Sequence, residues 1–267
     1  MTTRPEFPIG VFDSGVGGLT VARALMQRLP NERIFYFGDT ARVPYGIKSQ
    51  ETIVHFALQI AQFLLDKQVK LLIIACNTMA AVAARAIADL APVPVLDVIE
   101  AGAQAAAAET HNRSVGVIGT LATVASGAYD RAIHRHDPAI RIVSQACPLL
   151  VPLVEEGWLD HPVTRLTAQE YLAPVLAQSV DTLVLGCTHY PLLKPLLQQV
   201  AGAGVRLVDS AETVAAQTEA LLRERGLART DGAARHEFFV TDVPQRFQQI
   251  GERFLGRALA PVHVVKW

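Results

Sequence analysis

Short apolar runs alternate with amphipathic stretches along most of the chain. Helical patterns occupy residues 19–28, 50–67, 80–90 and 163–178. The runs between them are typical of buried strands: IGVFDS, RIFYFGD, VKLLIIACNT, PVLDVI, SVGVIGT, RIVSQACP, DTLVLGCTH and VRLVDS, with HEFFVTD and VHVVKW in the tail. This alternation predicts βα units and an α/β fold with mainly parallel sheets, whose strands are apolar because helices cover both faces.

The apolar runs fall into two similar series. IGVFDS in the first series resembles VGVIGT in the second, and LLIIACNT resembles TLVLGCTH at nearly the same spacing. Internal similarity of this kind indicates a repeated structural unit. We therefore predict two pseudo-symmetric lobes, one formed by residues 1–98 and 210–267 and the other by residues 99–209. Because ligands bind at the carboxyl ends of strands in open α/β sheets, the active site is predicted in the cleft between the lobes.

Composition and charge narrow the classes of function. Hydrophobic residues make up 51% of the 267 positions and charged residues 18%, the formal net charge is -1, and Lys and Arg form no run. The chain therefore offers no basic surface for a polyanion, and no nucleic-acid partner is predicted.

The start, MTTRPEFPIG, lacks a basic patch followed by an apolar signal core, and the most apolar segment, 71–84, is too short to cross a bilayer. Neither export nor a membrane is predicted.

Three cysteines, Cys76, Cys147 and Cys187, lie far apart in the sequence. An odd number of widely spaced cysteines argues against a disulfide framework and favours reduced thiols in the cytoplasm. Cys147 precedes a proline in an apolar stretch and is expected in the core. Cys76 in ACNT and Cys187 in GCTH each follow a buried strand and precede a predicted helix start, where unpaired N–H groups favour a thiolate.

Two thiols that face each other across a cleft can invert a stereocentre. One thiolate takes a proton from carbon while the opposite thiol delivers a proton to the other face. The alternative is a pair of small buried hydrophobic residues, but equivalent positions in both series favour chemistry. A zinc site of Cys76, Cys187 and His189 lacks the usual ligand spacings, and no lysine stands at a strand end to hold pyridoxal phosphate. No metal and no cofactor is predicted.

A glycine-rich segment, FDSGVGGLT at 12–20, ends the first strand and opens the first helix. Its backbone N–H groups are suited to bind an anion. The alternative is a tight turn in which Asp13 or Ser14 serves as a helix cap. Asp13 stands at a strand end, so its carboxylate is also a candidate to hold or relay the proton of a thiol.

Two other segments carry polar candidates. RVPYG at 42–46 follows the second strand and is typical of a turn, whose backbone and Tyr45 hydroxyl are expected to hold a substrate carboxylate. His189 lies two residues after Cys187, near enough to act as an acid, although a lone histidine is more often a structural group. Glu155 in VPLVEEG is either a functional carboxylate or a solvated residue at a helix end.

Five motifs together resemble the glutamate racemase family in their order and spacing: FDSGVGGLT, DTARVPYG, ACNT, VPLVEEG and GCTHYPLL. The resemblance covers the chain from Ile9 to Ser210. Paired cysteines are shared by the wider aspartate/glutamate racemase superfamily, whereas the glycine-rich start, PYG and CTHYPLL are similar to the glutamate branch. The resemblance implies a cofactor-independent isomerase that interconverts L- and D-glutamate, supplies D-glutamate for bacterial peptidoglycan, works in the cytoplasm and forms a homodimer.

The resemblance also implies roles for individual residues. Cys187 matches the cysteine that deprotonates L-glutamate, and Cys76 matches the one that serves D-glutamate. Asp13 is expected to support Cys76, while His189 and Glu155 support Cys187. The positions that match the family's substrate pocket are Asp13, Ser14, Pro44, Tyr45, Gly46, Cys76, Asn77, Thr78, Thr120, Thr123, Cys187, Thr188 and His189.

Three other functions fit parts of the same pattern. A superfamily relative acting on aspartate, a hydantoin or maleate would use the same thiol pair. A two-lobed amino-acid binding protein would need no chemistry, and a zinc hydrolase would need a metal. Because two lobes joined by chain crossings can open and close, we also predict closure around the substrate.

Overall fold

The computed structural model describes residues 3–232, 234–259 and 261–267. Met1, Thr2, Ala233 and Ala260 belong to the predicted first lobe and lie outside the described residues. Within the described ranges no helix is long and apolar enough to cross a membrane.

The first half of the chain alternates strands with helices, as its apolar pattern predicts. Its elements, in chain order, are β1 (Ile9–Asp13), α1 (Leu19–Arg28), β2 (Ile34–Gly38), α2 (Gln50–Asp66), β3 (Leu71–Ile74), α3 (Asn77–Leu90) and β4 (Val95–Asp97). A short 3-10 turn, Tyr45–Ile47, lies between β2 and α2. The helices α2 and α3 pack against each other beside the strands.

The second half repeats this alternation and then returns to the first. Its elements are α4 (Val98–Glu109), β5 (Ser114–Gly119), α5 (Leu121–Ala125), α6 (Ala128–His136), β6 (Arg141–Ala146), α7 (Leu150–Glu155), α8 (Pro162–Leu176), β7 (Thr182–Gly186), α9 (Lys194–Ala201) and β8 (Arg206–Val208). A 3-10 turn, Tyr190–Leu193, precedes α9. The tail contributes α10 (Ser210–Glu224), β9 (Glu237–Val240), α11 (Pro244–Leu255) and β10 (Val262–Val264).

The strands form two separate parallel sheets. Among the described residues, one sheet has the order β10-β9-β2-β1-β3-β4 and the other the order β6-β5-β7-β8. All of the neighbouring strands run parallel. The order β2-β1-β3-β4 matches β6-β5-β7-β8, so both sheets are built in the same way. The predicted α/β fold with parallel sheets is confirmed.

We call the part of the chain built on the larger sheet the first lobe, and the part built on the smaller sheet the second lobe. The strands of the larger sheet come from residues 9–97 and 237–264, and those of the smaller sheet from 114–208. The predicted lobe limits are compatible with this division and stay a prediction.

The returning tail is fixed to the first lobe by strand pairing and by aromatic packing. β9 pairs with β2, so that Phe37 lies opposite Phe239. The ring of Phe63 on α2 packs edge-on against both of these rings, at centroid distances of 5.2 Å. Trp267 covers the same cluster. Of these side chains Phe37 and Phe239 are buried, and burial of such a side chain stabilises the fold by roughly 1.5–3 kcal/mol.

Candidate active site

A cavity of about 430 Å³ lies where the two sheets present the carboxyl ends of their strands. This volume lies within the range of small-molecule sites. The first lobe contributes Ser14, Gly15, Val43, Pro44, Tyr45, Gly46, Ile47, Cys76, Asn77 and Thr78. The second lobe contributes Thr120, Leu121, Pro148, Val151, Pro152, Glu155, Cys187, Thr188 and His189. The two predicted thiols therefore line one cavity.

Cys76 follows β3 and occupies the N-cap position of α3. Its thiol is buried and lies 3.6 Å from the Ser14 hydroxyl. The pKa of this thiol is raised to about 12, mainly by burial and also by the charge of Asp13, and hydrogen bonds from Met79 and Ser14 only partly offset these two effects. Cys76 is thus held as a neutral thiol, the form that can deliver a proton.

Cys187 follows β7, the strand that corresponds to β3 in the second sheet. Its sulfur lies 3.8 Å from Nδ1 of His189, and Nε2 of the same ring lies 3.1 Å from Oε1 of Glu155. Burial lowers the pKa of His189, but the hydrogen bonds and charges of Cys187 and Glu155 outweigh burial and raise it to about 10. The hydrogen bond with His189 holds the pKa of Glu155 below its usual value. An imidazolium therefore lies beside the Cys187 sulfur and stabilises negative charge there.

The glycine-rich turn binds a carboxylate of the protein itself. The backbone N–H of Gly15 donates to Oδ1 of Asp13 at 2.8 Å, which favours the turn-capping alternative over an open anion site. Asp13 is buried, and burial raises its pKa despite the neighbouring His189 charge and the Gly15 and Gly18 amides. Asp13 lies beneath the cavity wall and does not itself line it.

The predicted RVPYG loop does line the cavity, but one of its expected groups is engaged elsewhere. The Tyr45 hydroxyl donates to the buried carboxylate of Asp39. Asp39 also pairs with Arg42 at 2.6 Å and accepts from the Thr241 hydroxyl at 2.9 Å. The proton of this hydroxyl therefore already has an acceptor within the protein, and the expectation that the hydroxyl holds a substrate carboxylate stays a prediction.

Hydroxyl groups connect the two lobes at the base of the cavity. Thr78 on α3 lies 3.0 Å from Thr120 and 3.3 Å from Thr123, measured between hydroxyl oxygens. Thr188 donates to Asp13 at 3.3 Å. Thr123 is buried behind Thr120 and, like Asp13, does not line the cavity. The remaining predicted pocket residues all lie in the lining.

The structure also shows the surroundings of the third cysteine and of the side chains considered as zinc ligands. Cys147 is fully buried, as expected of a core residue, and it is absent from the cavity lining. Within residues 3–232, 234–259 and 261–267, no group of three or more His, Cys, Asp or Glu side chains is arranged to hold a metal ion. The side chains of Cys187, His189 and Glu155 form a row through the imidazole instead of converging on one point.

The chain is similar to known proteins over most of its length. Residues 18–218 match the family model described as Asp/Glu/Hydantoin racemase. The chain belongs to the Asp/Glu/Hydantoin racemase family. Glutamate racemase of Syntrophus aciditrophicus is 68% identical over 98% of this chain and 98% of the relative.

Solved structures of this racemase family share the fold. The crystal structure of glutamate racemase from Francisella tularensis in complex with D-glutamate is 42% identical, with a TM-score of 0.93 over 98% of each chain. That of glutamate racemase isoform RacE1 from Bacillus anthracis is 38% identical, with a TM-score of 0.95 over 98% of each chain. The family predicted from the motifs and the predicted enzyme class, an isomerase of the racemase type, are confirmed.

The racemase cavity also contains residues that sequence reasoning missed. They are apolar and form much of the wall: Val43, Ile47, Leu121, Pro148, Val151 and Pro152. Asp39 behind Tyr45 was missed as well. The signal available for Asp39 was its position directly after the apolar run RIFYFG, the same position that Asp13 has after IGVF. Apolar residues in loops and short helices carry no such signal, since exposed hydrophobic side chains are common on any surface.

Proposed function

We propose that this racemase interconverts L- and D-glutamate by proton transfer between Cys76 and Cys187, without a cofactor. The observation that carries the proposal is the pair of thiols at corresponding strand ends, β3 and β7, in the lining of one cavity. The similarity to glutamate racemases over almost the whole chain supports glutamate as the substrate.

The direction that we propose for each transfer follows the family resemblance, and the unequal surroundings of the two thiols are compatible with it. In the L-to-D direction Cys187, beside the His189 imidazolium, removes the α-proton, and Cys76, held as a thiol, delivers a proton to the opposite face. In the D-to-L direction the two roles exchange. The Asp13 carboxylate, whose charge raises the pKa of Cys76, is proposed to take up the proton of that thiol before the D-to-L transfer, while Glu155 keeps His189 oriented toward Cys187.

Apart from the His189 imidazolium, whose two ring nitrogens face Cys187 and Glu155, the donors available to a dicarboxylate substrate here are neutral. Among the described lining residues there is no lysine or arginine. Hydroxyl and amide groups remain, together with backbone N–H groups at the start of α3, and such preorganised donors also stabilise the carbanion that forms when the α-proton leaves. The proposed substrate-binding residues are Asp13, Ser14, Pro44, Tyr45, Gly46, Cys76, Asn77, Thr78, Thr120, Thr123, Cys187, Thr188 and His189. For Asp13 and Thr123 this contact is indirect, through Thr188 and Thr120.

The biological setting is part of the same proposal. D-glutamate made by this enzyme would enter peptidoglycan, and the free state of all three cysteines among the described residues supports a reducing, cytoplasmic location. A homodimer is also proposed. Growth of a D-glutamate-requiring bacterium on expression of this chain tests the supply of D-glutamate for peptidoglycan. The sedimentation coefficient of the purified protein tests the homodimer.

The decisive experiment follows optical rotation and α-proton loss of L-glutamate in deuterated water, with metal-free protein and no added pyridoxal phosphate. We expect the wild type to lose rotation and to incorporate deuterium at the α-carbon. Cys76→Ala and Cys187→Ala should each abolish racemisation, since either thiol is needed for inversion. Cys147→Ala is the matched control and should remain active, because its thiol lies outside the cavity.

Three outcomes would count against the proposal. A wild type that neither racemises nor exchanges glutamate excludes this substrate, and a panel of aspartate, hydantoins and maleate then separates the family alternatives. Tight glutamate binding without exchange would favour the binding-protein alternative. Activity that survives either of the two thiol substitutions would contradict the two-base mechanism.

A further inference from the structure

The side-chain amide of Asn77 has one group that lacks a protein partner. Asn77 is the first residue of α3, is only 3% exposed, and lines the cavity. Its oxygen accepts a hydrogen bond, but its Nδ2 has no hydrogen-bond partner in the described part of the chain. A buried N–H group without a partner costs free energy. A ligand atom in the cavity is therefore the natural acceptor for this nitrogen.

The oxygen of the same amide is held from the other lobe. The hydroxyl of Tyr129, on α6, donates to Oδ1 of Asn77 at 2.7 Å. Burial raises the pKa of Tyr129, and the charges of Asp97, Cys187 and Asp209 raise it further, so the phenol keeps its proton and needs an acceptor. Because the oxygen and the nitrogen of an amide lie on opposite sides of its carbon, donation to the oxygen fixes where the nitrogen points.

Two glycines make room for the Tyr129 side chain to reach this position. A Cβ on Gly102 would lie 3.0 Å from the Tyr129 hydroxyl oxygen, and a Cβ on Gly186 would lie 3.0 Å from its Cε2. Both distances are shorter than ordinary van der Waals contact. The ring is thus enclosed by α4 on one side and the end of β7 on the other, and it remains almost fully buried at 2% exposure.

We propose that Tyr129 is a positioning residue for substrate recognition: it fixes the Asn77 amide so that Nδ2 donates to a carboxylate of the substrate. The inference rests on the proposed function, since glutamate supplies the carboxylate. It also gives the contact between the lobes a role in binding. The donor comes from the first lobe and its orientation from the second, so the site presents this N–H correctly only when both lobes are in place.

The first variant is Tyr129→Phe, which keeps the ring and removes the hydroxyl. Without the Tyr129 hydroxyl the Asn77 amide can rotate, so its Nδ2 points toward the substrate for only part of the time. We expect KM for both L- and D-glutamate to rise about tenfold while kcat changes less than about twofold, the pattern for loss of uniform binding. Tyr190→Phe is the matched control. It removes another buried hydroxyl, which donates to the Cys147 carbonyl and not to Asn77, and KM should stay unchanged.

A double-mutant cycle separates positioning from general stabilisation. In an Asn77→Ala background, adding Tyr129→Phe should change KM by less than about twofold, because the amide that Tyr129 orients is gone. Calorimetric titration with D-glutamate should give the same coupling in Kd. A tenfold effect of Tyr129→Phe that persists in the Asn77→Ala background would overturn the positioning role, as would a single Tyr129→Phe variant with wild-type KM and Kd. A wild type inactive on glutamate would overturn the proposed function and this inference together.

Discussion

The imidazole of His189 lies between the Cys187 sulfur and the Glu155 carboxylate. Its pKa in the folded protein, about 10, is above its ordinary value of 6.5, so the stability that this group contributes is complete below pH 6.5 and is lost as the pH rises through about 10. The pKa of Glu155 is lowered from 4.5, so its contribution is present above pH 4.5 and is lost as the pH falls through the lowered value. The ion pair is therefore intact around neutral pH.

Replacing Glu155 by Gln should change both the activity and its pH dependence. The neutral amide no longer favours the imidazolium, so the pKa of His189 falls and negative charge on Cys187 is less stabilised. For L-glutamate we expect kcat near neutral pH to fall about tenfold, in line with loss of a charge-assisted hydrogen bond. The alkaline limb of the pH–rate profile should move to lower pH. An NMR titration of the His189 ring measures the pKa directly.

The neighbouring residue Glu156 is the control for this change. Its side chain is 66% exposed and lies 3.8 Å from Arg246, away from the imidazole. Glu156→Gln should therefore keep the wild-type profile. If Glu155→Gln also kept the wild-type alkaline limb, the supporting role of Glu155 would have to be abandoned.

At the scale of elements, the glycine-rich turn of the first lobe packs directly on the end of β7 in the second. A Cβ on Gly17 would lie 2.6 Å from Nδ1 of His189 and closer still to the Thr188 hydroxyl. Gly17→Ala should push the turn away from these two residues. We expect kcat/KM to fall at least tenfold and the free energy of unfolding to fall by about 1–3 kcal/mol, as for other overpacked sites.

Steady-state kinetics and thermal denaturation measure the two effects of Gly17→Ala. Gly204→Ala is the matched control, because a Cβ there meets nothing within 4 Å. Wild-type kinetics in the Gly17 variant would show that the close approach of turn and strand end is not needed for activity.

A second element-scale feature is the buried ion pair of Lys70 and Glu32, 2.6 Å apart. Lys70 also donates to the carbonyls of Pro5 and Leu227, so it joins the start of β3 to the segment before β1 and to the segment after α10. Lys70→Met leaves a buried carboxylate without its partner. We expect the free energy of unfolding to fall by about 3–5 kcal/mol, measured by urea denaturation.

The double variant Lys70→Met with Glu32→Leu tests the cause of that loss. If an unpaired charge is responsible, replacing both partners should recover most of the stability. A double variant as unstable as Lys70→Met would point instead to lost hydrogen bonds, namely those of Lys70 with Pro5 and Leu227 and that of the Arg229 N–H with Glu32.

At the scale of the whole molecule, hydrogen bonds at the base of the cavity restrict how the lobes can move. Thr78 contacts Thr120 and Thr123, and Thr188 contacts Asp13. We expect the predicted closure to keep these contacts and to narrow the cleft. We expect small-angle scattering to show a smaller radius of gyration when glutamate is added, with L-lysine as the control ligand. Unchanged dimensions would exclude a large closure.

The sequence by itself determined the parallel α/β fold, the repeat of two similar series of strands and the two thiols at corresponding strand ends. These follow from local signals: apolar runs fix the strands, glycine marks the turn, and polar residues directly after a strand mark its carboxyl end. The resemblance to the family, and not these local signals, predicted Ser14, Asn77 and Thr188 as pocket residues, and all three line the cavity.

Only the tertiary structure decided which partner each polar group has. It turned the Tyr45 hydroxyl toward Asp39, placed Asp13 and Thr123 behind the wall, and set Tyr129 against Asn77 from the other lobe. Asn77 and Tyr129 lie 52 positions apart, and nothing in a single sequence indicates that they are in contact. The physical reason is that a buried polar group takes its partner from whatever the packing of distant elements brings within 3 Å or so, and that packing is a property of the whole molecule.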